Sequence, residues 1–256
     1  MAGFIEEFIS YDSEKYDDLD TFLERYRPSK TKGREDPRYN LWIQVSVREC
    51  EEYDDEEDDE EDDDDDDEDD EDFIPIKWIK CKKEFEKLKL SNQLTYENIK
   101  AIARNNKYLS GKWLVYRDVC EIDAVWMTIA NAVVANKLGQ AAKVSCRDSP
   151  ASDDGSHVIC VYTKDFTDVD DVMRVELMLR QLGVTGRLMY KPDIYTILGI
   201  YAKNEWHLRP TIYSTTNDWP EKYIPKSEAQ PAKNIVFHKD YYSFLKWFKS
   251  TCERNQ

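Results

Sequence analysis

The chain has 256 residues, 41% of them hydrophobic and 35% charged, and its formal net charge is −17 at pH 7. No apolar run approaches the roughly 18 residues of a membrane-spanning helix, and the six cysteines show neither a CxxC pair nor finger spacing, which argues against a helical membrane protein, a zinc module and a disulfide scaffold. The charge is local: residues 51–72 hold 21 acids and no base, leaving 32 acids against 36 bases elsewhere and a net of +4, so the folded part has no general reason to repel nucleic acid.

Residues 1–38 read as an N-terminal extension and linker. MAGFIEEFIS is too short and too acidic for a signal peptide, and MAGF lacks the residues that complete a myristoylation signal. Leu19, Phe22, Leu23 and Tyr26 predict a short helix ahead of Arg27 and Pro28, and PSKTKGREDP has linker composition. A single domain is expected over 39–256. Its first strand is Leu41 to Val47, where LWIQVSV alternates as a half-buried strand does. The acidic tract 51–72 interrupts that domain. Such a run cannot bury enough surface to offset its ordering entropy and is expected to be disordered, either as a tolerated surface insertion or as a polyanion mimic over a basic groove. FIPIKWIKCKKEFEKLKL reads as an extended start followed by a solvated Lys/Glu face from Lys77 to Lys89. Thr95 to Lys107, with Ile99 and Ile102, predicts another short helix.

From Ser110 to Tyr201 the periodicity reads strand, helix, strand, strand, helix, strand, strand. The first helix presents Ile122, Val125, Trp126, Ile129, Val133 and Val134 at three- and four-residue spacings, with Gly139 as its stop. AAKVS and HVICVYT form a hairpin around the turn-rich RDSPASDDGS. A second helix follows Thr167 as N-cap, with Asp168, Asp170 and Asp171 in its first turn. It buries Val172, Val175, Leu179 and Leu182, and Gly183 closes it. This pattern predicts an α+β fold, a mostly antiparallel sheet with helices packed on one face. Beyond Tyr201, Trp206, His207, Arg209, Pro210, Tyr213, Trp219 and Pro220 read as a wrapping loop. Tyr241 to Phe248 reads as an amphipathic helix with Phe244, Leu245 and Phe248 inward.

Lys143, Arg147, Arg187, Lys191 and Arg209 fall at strand or loop positions beside Tyr190, Tyr195 and Tyr213. Cations for phosphate and rings for stacking are what an RNA or nucleotide site needs, although alternate residues of a half-exposed strand are polar in any case. The candidate ligand set is therefore Lys143, Arg147, Arg187, Lys191, Tyr195 and Arg209. Trp113 and Trp126 read as core. His157 and Cys160 fall on opposite faces of a regular strand, and three histidines with no HExxH spacing give no metal site. GxSxG, P-loop and GxGxxG motifs are absent, so no catalytic residue and no cofactor is expected. Lys191 and Asp193 flank Pro192 as an acid and base would, but a KPD turn accounts for them equally.

LERYRPS, GKWL, the VW at the helix centre, AKVS, YTKDFTD, YKPDIYTILGIY and RPTIY, spread over roughly residues 19–215, resemble the family of basophilic leukaemia-expressed (Bles-type) proteins of unknown function. The resemblance implies the fold of translation initiation factor 4E, a curved antiparallel sheet with helices on its convex face; it does not imply cap binding. Gly111, Lys112 and Trp113 are similar to the GRW strand of the cap-binding factors, and Val125 and Trp126 to their helical FW. Their cap site draws a tryptophan and a carboxylate from an MWE-type segment just before GRW. Here that segment is AIARNNKYLS, with neither residue. Their phosphate contacts fall near Lys143 and Arg147. The expectation is a binding protein taking RNA or a nucleotide-like anion on the concave sheet face. The alternatives are a protein-interaction module using the helical back and a phosphoester-processing enzyme. A cytoplasmic or nuclear monomer with reduced thiols and no membrane partner completes the reading.

Overall fold

The computed structural model describes residues 5–16, 18–36, 38–47, 76–148 and 155–215. The acidic tract and the helix expected at 241–248 lie outside these. Seven strands form one sheet in the order β1-β2-β4-β5-β3-β6-β7. They are β1 (Ile5–Ser10), β2 (Tyr39–Ser46), β3 (Gly111–Asp118), β4 (Ala141–Ser145), β5 (Ser156–Thr163), β6 (Leu188–Pro192) and β7 (Tyr213–Thr215). Between them run α1 (Leu19–Arg25), α2 (Ile76–Leu90), α3 (Tyr96–Asn105), α4 (Ile122–Val134), α5 (Val169–Gln181) and the short α6 (Asp193–Ile197). The α+β class expected from the periodicity is the class observed.

The sheet is mixed. β1 pairs parallel with β2, whereas the other neighbours are antiparallel. No strand was expected before Leu41, yet Ile5 to Ser10 form one. A parallel neighbour needs a crossover rather than a tight turn, and α1 supplies it.

Alternation along the strands sorts side chains onto two faces. Ile43, Val45, Trp113, Val115, Ala142, Val144, Ile159, Val161, Leu188 and Tyr190 face the helices and are buried with Phe22 and Leu23 of α1, Phe85 of α2, Ile99 and Ile102 of α3, Trp126 and Ile129 of α4, and Val172 and Leu179 of α5. A smaller cluster of Trp42, Leu114, Val158 and Cys160, joined by Tyr162 and Met189, lies on the opposite face. The sheet is thus layered with helices on one side only, and the uncovered side is partly apolar itself.

The helix boundaries show which sequence signals act. Asp18 accepts from the Thr21 amide at 2.6 Å, and Thr95 accepts from the Asn98 amide at 3.2 Å. The N-cap of α5 is Asp168, which accepts from the Asp171 amide at 3.1 Å, rather than Thr167. A carboxylate one residue nearer the helix takes the orphan amide and also meets the positive end of the dipole. Gly183 ends α5 with φ 82°, as expected. α4, by contrast, ends at Val134, and Asn136 takes the left-handed turn with φ 54°. Gly139 acts differently: a Cβ there would lie 2.2 Å from the Tyr162 carbonyl oxygen, so its missing side chain lets the chain enter β4 alongside β5.

Two expected elements differ. The stretch read as extended at its start is helical from Ile76, because Cys81 and Phe85 stand four residues apart, both buried, with Leu88 continuing the stripe. The last strand expected before Tyr201 is α6 followed by a turn. Pro192 closes β6 at φ −62°, and Ile194, Tyr195 and Leu198 then reach the core at helical spacing.

β7 is held from below. The fully buried Glu176 carboxylate accepts from Arg180 Nε at 2.9 Å and from the Thr215 hydroxyl at 2.8 Å, tying α5 to the edge strand. The assigned cap is testable: Asp168→Ala should destabilise the protein by about 1 kcal/mol in urea titration, and Thr167→Ala by less.

Candidate anion site on the uncovered sheet face

Register alone brings the chemistry together. Lys143 on β4 is the partner of Cys160 on β5, Tyr162 is the partner of Lys112 on β3, and Lys112 is in turn the partner of Lys191 on β6. Tyr162 lies two residues beyond Cys160, so all five side chains share the face away from the helices. Neighbouring strands stand about 4.8 Å apart, so three lysines from three strands occupy a narrow field.

Each lysine meets a different environment. Lys143 Nζ lies 2.9 Å from Glu6 Oε2 of β1, 4.2 Å from the Trp42 ring centre and 5.2 Å from that of Phe8. Lys112 Nζ lies 2.7 Å from Asp193 Oδ1, while Asp193 Oδ2 accepts the Ser110 hydroxyl at 2.7 Å. Burial pulls the Lys112 ammonium down, but Asp193 opposes it and the net shift is upward, so Lys112 stays charged. Lys191 has no hydrogen bond or ion pair among the described residues. Its amine sits 3.7 Å from the centre of the Tyr201 ring, and burial, followed by the Lys112 charge, pushes it down to about 7.

The rings of the face are Phe8, Trp42, Tyr162 and Tyr201. Phe8 and Tyr201 are 46% and 54% exposed, so two aromatic surfaces are open to a ligand. The Trp42 indole N–H is buried with no partner among the described residues. Cys160, between Lys112 and Lys143, is buried, which pushes its thiol up and leaves it a poor nucleophile. Among the described residues no cluster of His, Cys, Asp or Glu is arranged to hold a metal ion.

Of the six residues expected from sequence, Lys143 and Lys191 lie on this face. Arg187 stands just before β6, at the end away from Lys191, and its Nε donates to Ser214 Oγ at 2.9 Å. Arg147 follows β4 as an exposed side chain 3.7 Å from Asp148. Arg209 is half-buried in the loop leading to β7. Tyr195 is not on the face: it projects from α6 into the core at 3% exposure, and burial pushes its hydroxyl up. Tyr190 and Tyr213, foreseen as stacking rings, lie in that core as well. Tyr190 neighbours Lys191 in one strand, so alternation sends the two to opposite faces.

Sequence reasoning missed Lys112, Trp42, Tyr162 and the Asp193–Ser110 pair. The signal was present for the first two. In GKWL, a buried Trp113 forces Lys112 outward, and in LWIQ, a buried Ile43 forces Trp42 outward.

The stretch that supplies the three lysines also carries a family signature. Residues 77–199 match the family described as basophilic leukemia-expressed protein Bles03. It is the family that the sequence motifs resembled, over a narrower span than the motifs cover. The Bles03 match runs from α2 past α6 and contains Lys112, Lys143, Tyr162, Lys191 and Asp193, whereas Phe8, Trp42 and Tyr201 lie outside it.

Among solved structures, the chain aligns with C. elegans eIF4E-3 in complex with the 4E-binding protein Mextli and a cap analog, at 24% identity and TM-score 0.30, over 36% of this chain and 54% of that one. It also aligns with C. elegans eIF4E-3 bound to Mextli at 23% identity and TM-score 0.30, over 36% and 56%. A third match is Ascaris suum eIF4E-3 with m2,2,7G cap, at 18% identity and TM-score 0.31, over 41% and 57%. This chain therefore spans little more than half the length of the proteins it matches.

Two outcomes follow from the lysine environments. Asp193→Asn leaves Lys112 buried without its counter-charge and should cost on the order of 3 kcal/mol in chemical denaturation. Lys191 keeps its proton in the unfolded chain up to the ordinary lysine range but releases it near 7 when folded, so its cost to stability is full below about 7 and fades as pH rises toward about 10. Lys191→Met should accordingly raise the unfolding midpoint more at about pH 6 than at about pH 9.5 in parallel thermal melts.

Proposed function

We propose that this protein binds RNA or a nucleotide-like anion on the uncovered face of its sheet. The observation that carries the reading is the gathering of Lys112, Lys143 and Lys191 with Phe8, Trp42, Tyr162 and Tyr201 on one face. Ammonium groups set among aromatic faces match the two parts of a nucleotide, since phosphate pairs with cations and a base stacks on rings. Glu6 and Asp193 neutralise Lys143 and Lys112, so the face carries little net charge before a ligand arrives. An incoming phosphate competes with these carboxylates, which favours modest affinity with marked dependence on salt.

The helical side offers less support for a partner protein. Large exposed apolar side chains on α4 would be the sign of a docking surface, and among the described residues the exposed ones are Ile5, Phe8, Ile79, Leu90, Tyr116, Val119 and Tyr201, none of them on α4. Phosphoester chemistry would need an acid and a base free to act. Asp193 is instead committed to Lys112 and Ser110.

The test is ultraviolet crosslinking with recovery of bound RNA, comparing the wild type with a Lys143→Ala/Lys191→Ala double variant whose folding is verified by circular dichroism. The wild type should retain RNA, and the variant should lose most of it and show a log affinity–log salt slope shallower by about 1.4 for single strands. Equal recovery from both proteins would overturn the reading.

A further inference from the structure

The Lys191 amine has features that reversible anion binding does not require. Its side chain is 6% exposed. Its partner across the β3–β6 ladder is Lys112, so a second ammonium stands opposite on the same face. The nearby carboxylate, Asp193, places one oxygen 2.7 Å from Lys112 and gives the other to the Ser110 hydroxyl. What remains for Lys191 is the Tyr201 ring, 3.7 Å from the amine.

A desolvated lysine beside a second cation is favoured in its neutral form, and the neutral amine is the nucleophile. The groups that act on Lys191 come from every element around it. Burial and Lys112 of β3 hold its proton affinity down, and Asp193 of α6 and Cys160 of β5 oppose them more weakly, with the balance at about 7. An ordinary surface lysine carries almost no free amine at that pH.

We propose that Lys191 is a covalent site for carbonyl compounds, condensing with an aldehyde borne by an aromatic or phosphorylated ligand to form an imine. The nitrogen lone pair attacks the carbonyl carbon, and the π pair moves to oxygen. The proton that nitrogen gives up is taken by that oxygen, giving a carbinolamine. Nitrogen then expels the hydroxyl, which leaves as water after taking up the second amine proton, and the C=N bond forms. Amine and aldehyde become imine and water, with no change of oxidation state and no further reactant.

The choice of ligand follows from the surroundings. Tyr162 and Tyr201 border the two opposed lysines, and Lys112 and Lys143 attract an anionic substituent. The site does not depend on RNA binding, because the amine is reactive through its own setting. RNA recovery and aldehyde labelling can therefore fail separately.

The experiment uses the full chain and pyridoxal 5′-phosphate, an aromatic aldehyde with a phosphate, followed by borohydride reduction and peptide mapping at a series of pH values. At about pH 7 Lys191 should be labelled at least about tenfold faster than the median lysine, with a rate midpoint near neutrality. Lys191→Arg should remove that adduct and leave labelling elsewhere unchanged. Lys112→Met, verified as folded, should slow Lys191 labelling, because Asp193 is then released to pair with it. The preference should persist with benzaldehyde, which lacks the phosphate. Labelling of Lys191 no faster than the median lysine, a midpoint in the ordinary range near about 10, or a preference that vanishes with benzaldehyde would each overturn the proposal.

Discussion

The register of the three central strands is fixed at one buried point. Gly111 of β3 stands opposite Thr163 of β5 and Pro192 of β6, and the Tyr190 hydroxyl lies 2.5 Å from Thr163 Oγ1 directly over it. A Cβ on Gly111 would come within 2.3 Å of that hydroxyl, so the ring closes over a strand that has no side chain there. Trp113, two residues on, packs edge-to-face against Tyr190 and donates from its indole to the Val172 carbonyl at 2.8 Å, which adds α5 to the same lock. The period of a strand is two, so a slip of one residue would exchange every inward group for an outward one. Lys112 and Lys191 face outward together because Trp113 and Tyr190 face inward together.

That arrangement sets two ammonium groups opposite one another, which is unfavourable in an antiparallel pair unless something compensates. The compensation is unequal. The turn after β6 places Asp193 beside Lys112, and the main chain repeats the link, since the Asp193 amide donates to the Ser110 carbonyl at 2.9 Å. Lys112 is thereby held charged, and its charge in turn depresses Lys191. Two lysines that look equivalent in sequence acquire different chemistry from one carboxylate.

The second face of the sheet explains how three lysines come to be buried at all. Leu114, Val158, Cys160 and Trp42 form an apolar floor between them, and the lysine stems lie along it. Rings take up part of the cationic charge where carboxylates do not reach, as Trp42 does for Lys143 and Tyr201 for Lys191. The face is therefore semi-dry, a setting in which a charge interaction is stronger than it is in water.

The sequence by itself determined most of the elements and their inward faces, because spacing, caps and turn residues act locally. The helix around Trp126, the hairpin strands AAKVS and HVICVYT, the end of α5 at Gly183 and the core roles of Trp113 and Trp126 were all legible. So was the outward direction of Lys143 and Lys191, since alternation is a property of the strand. Tertiary structure decided what local pattern cannot encode: that Ile5 to Ser10 join the sheet edge, that Gly139 serves a close passage against Tyr162, and that Tyr195 is drawn into the core by α6. It also decided which strands are neighbours. Lys112, Tyr162 and Lys191 are separated by tens of residues, and only pairing across β5, β3 and β6 brings them into one field, because hydrogen-bonded register acts between segments and leaves no mark within any one of them.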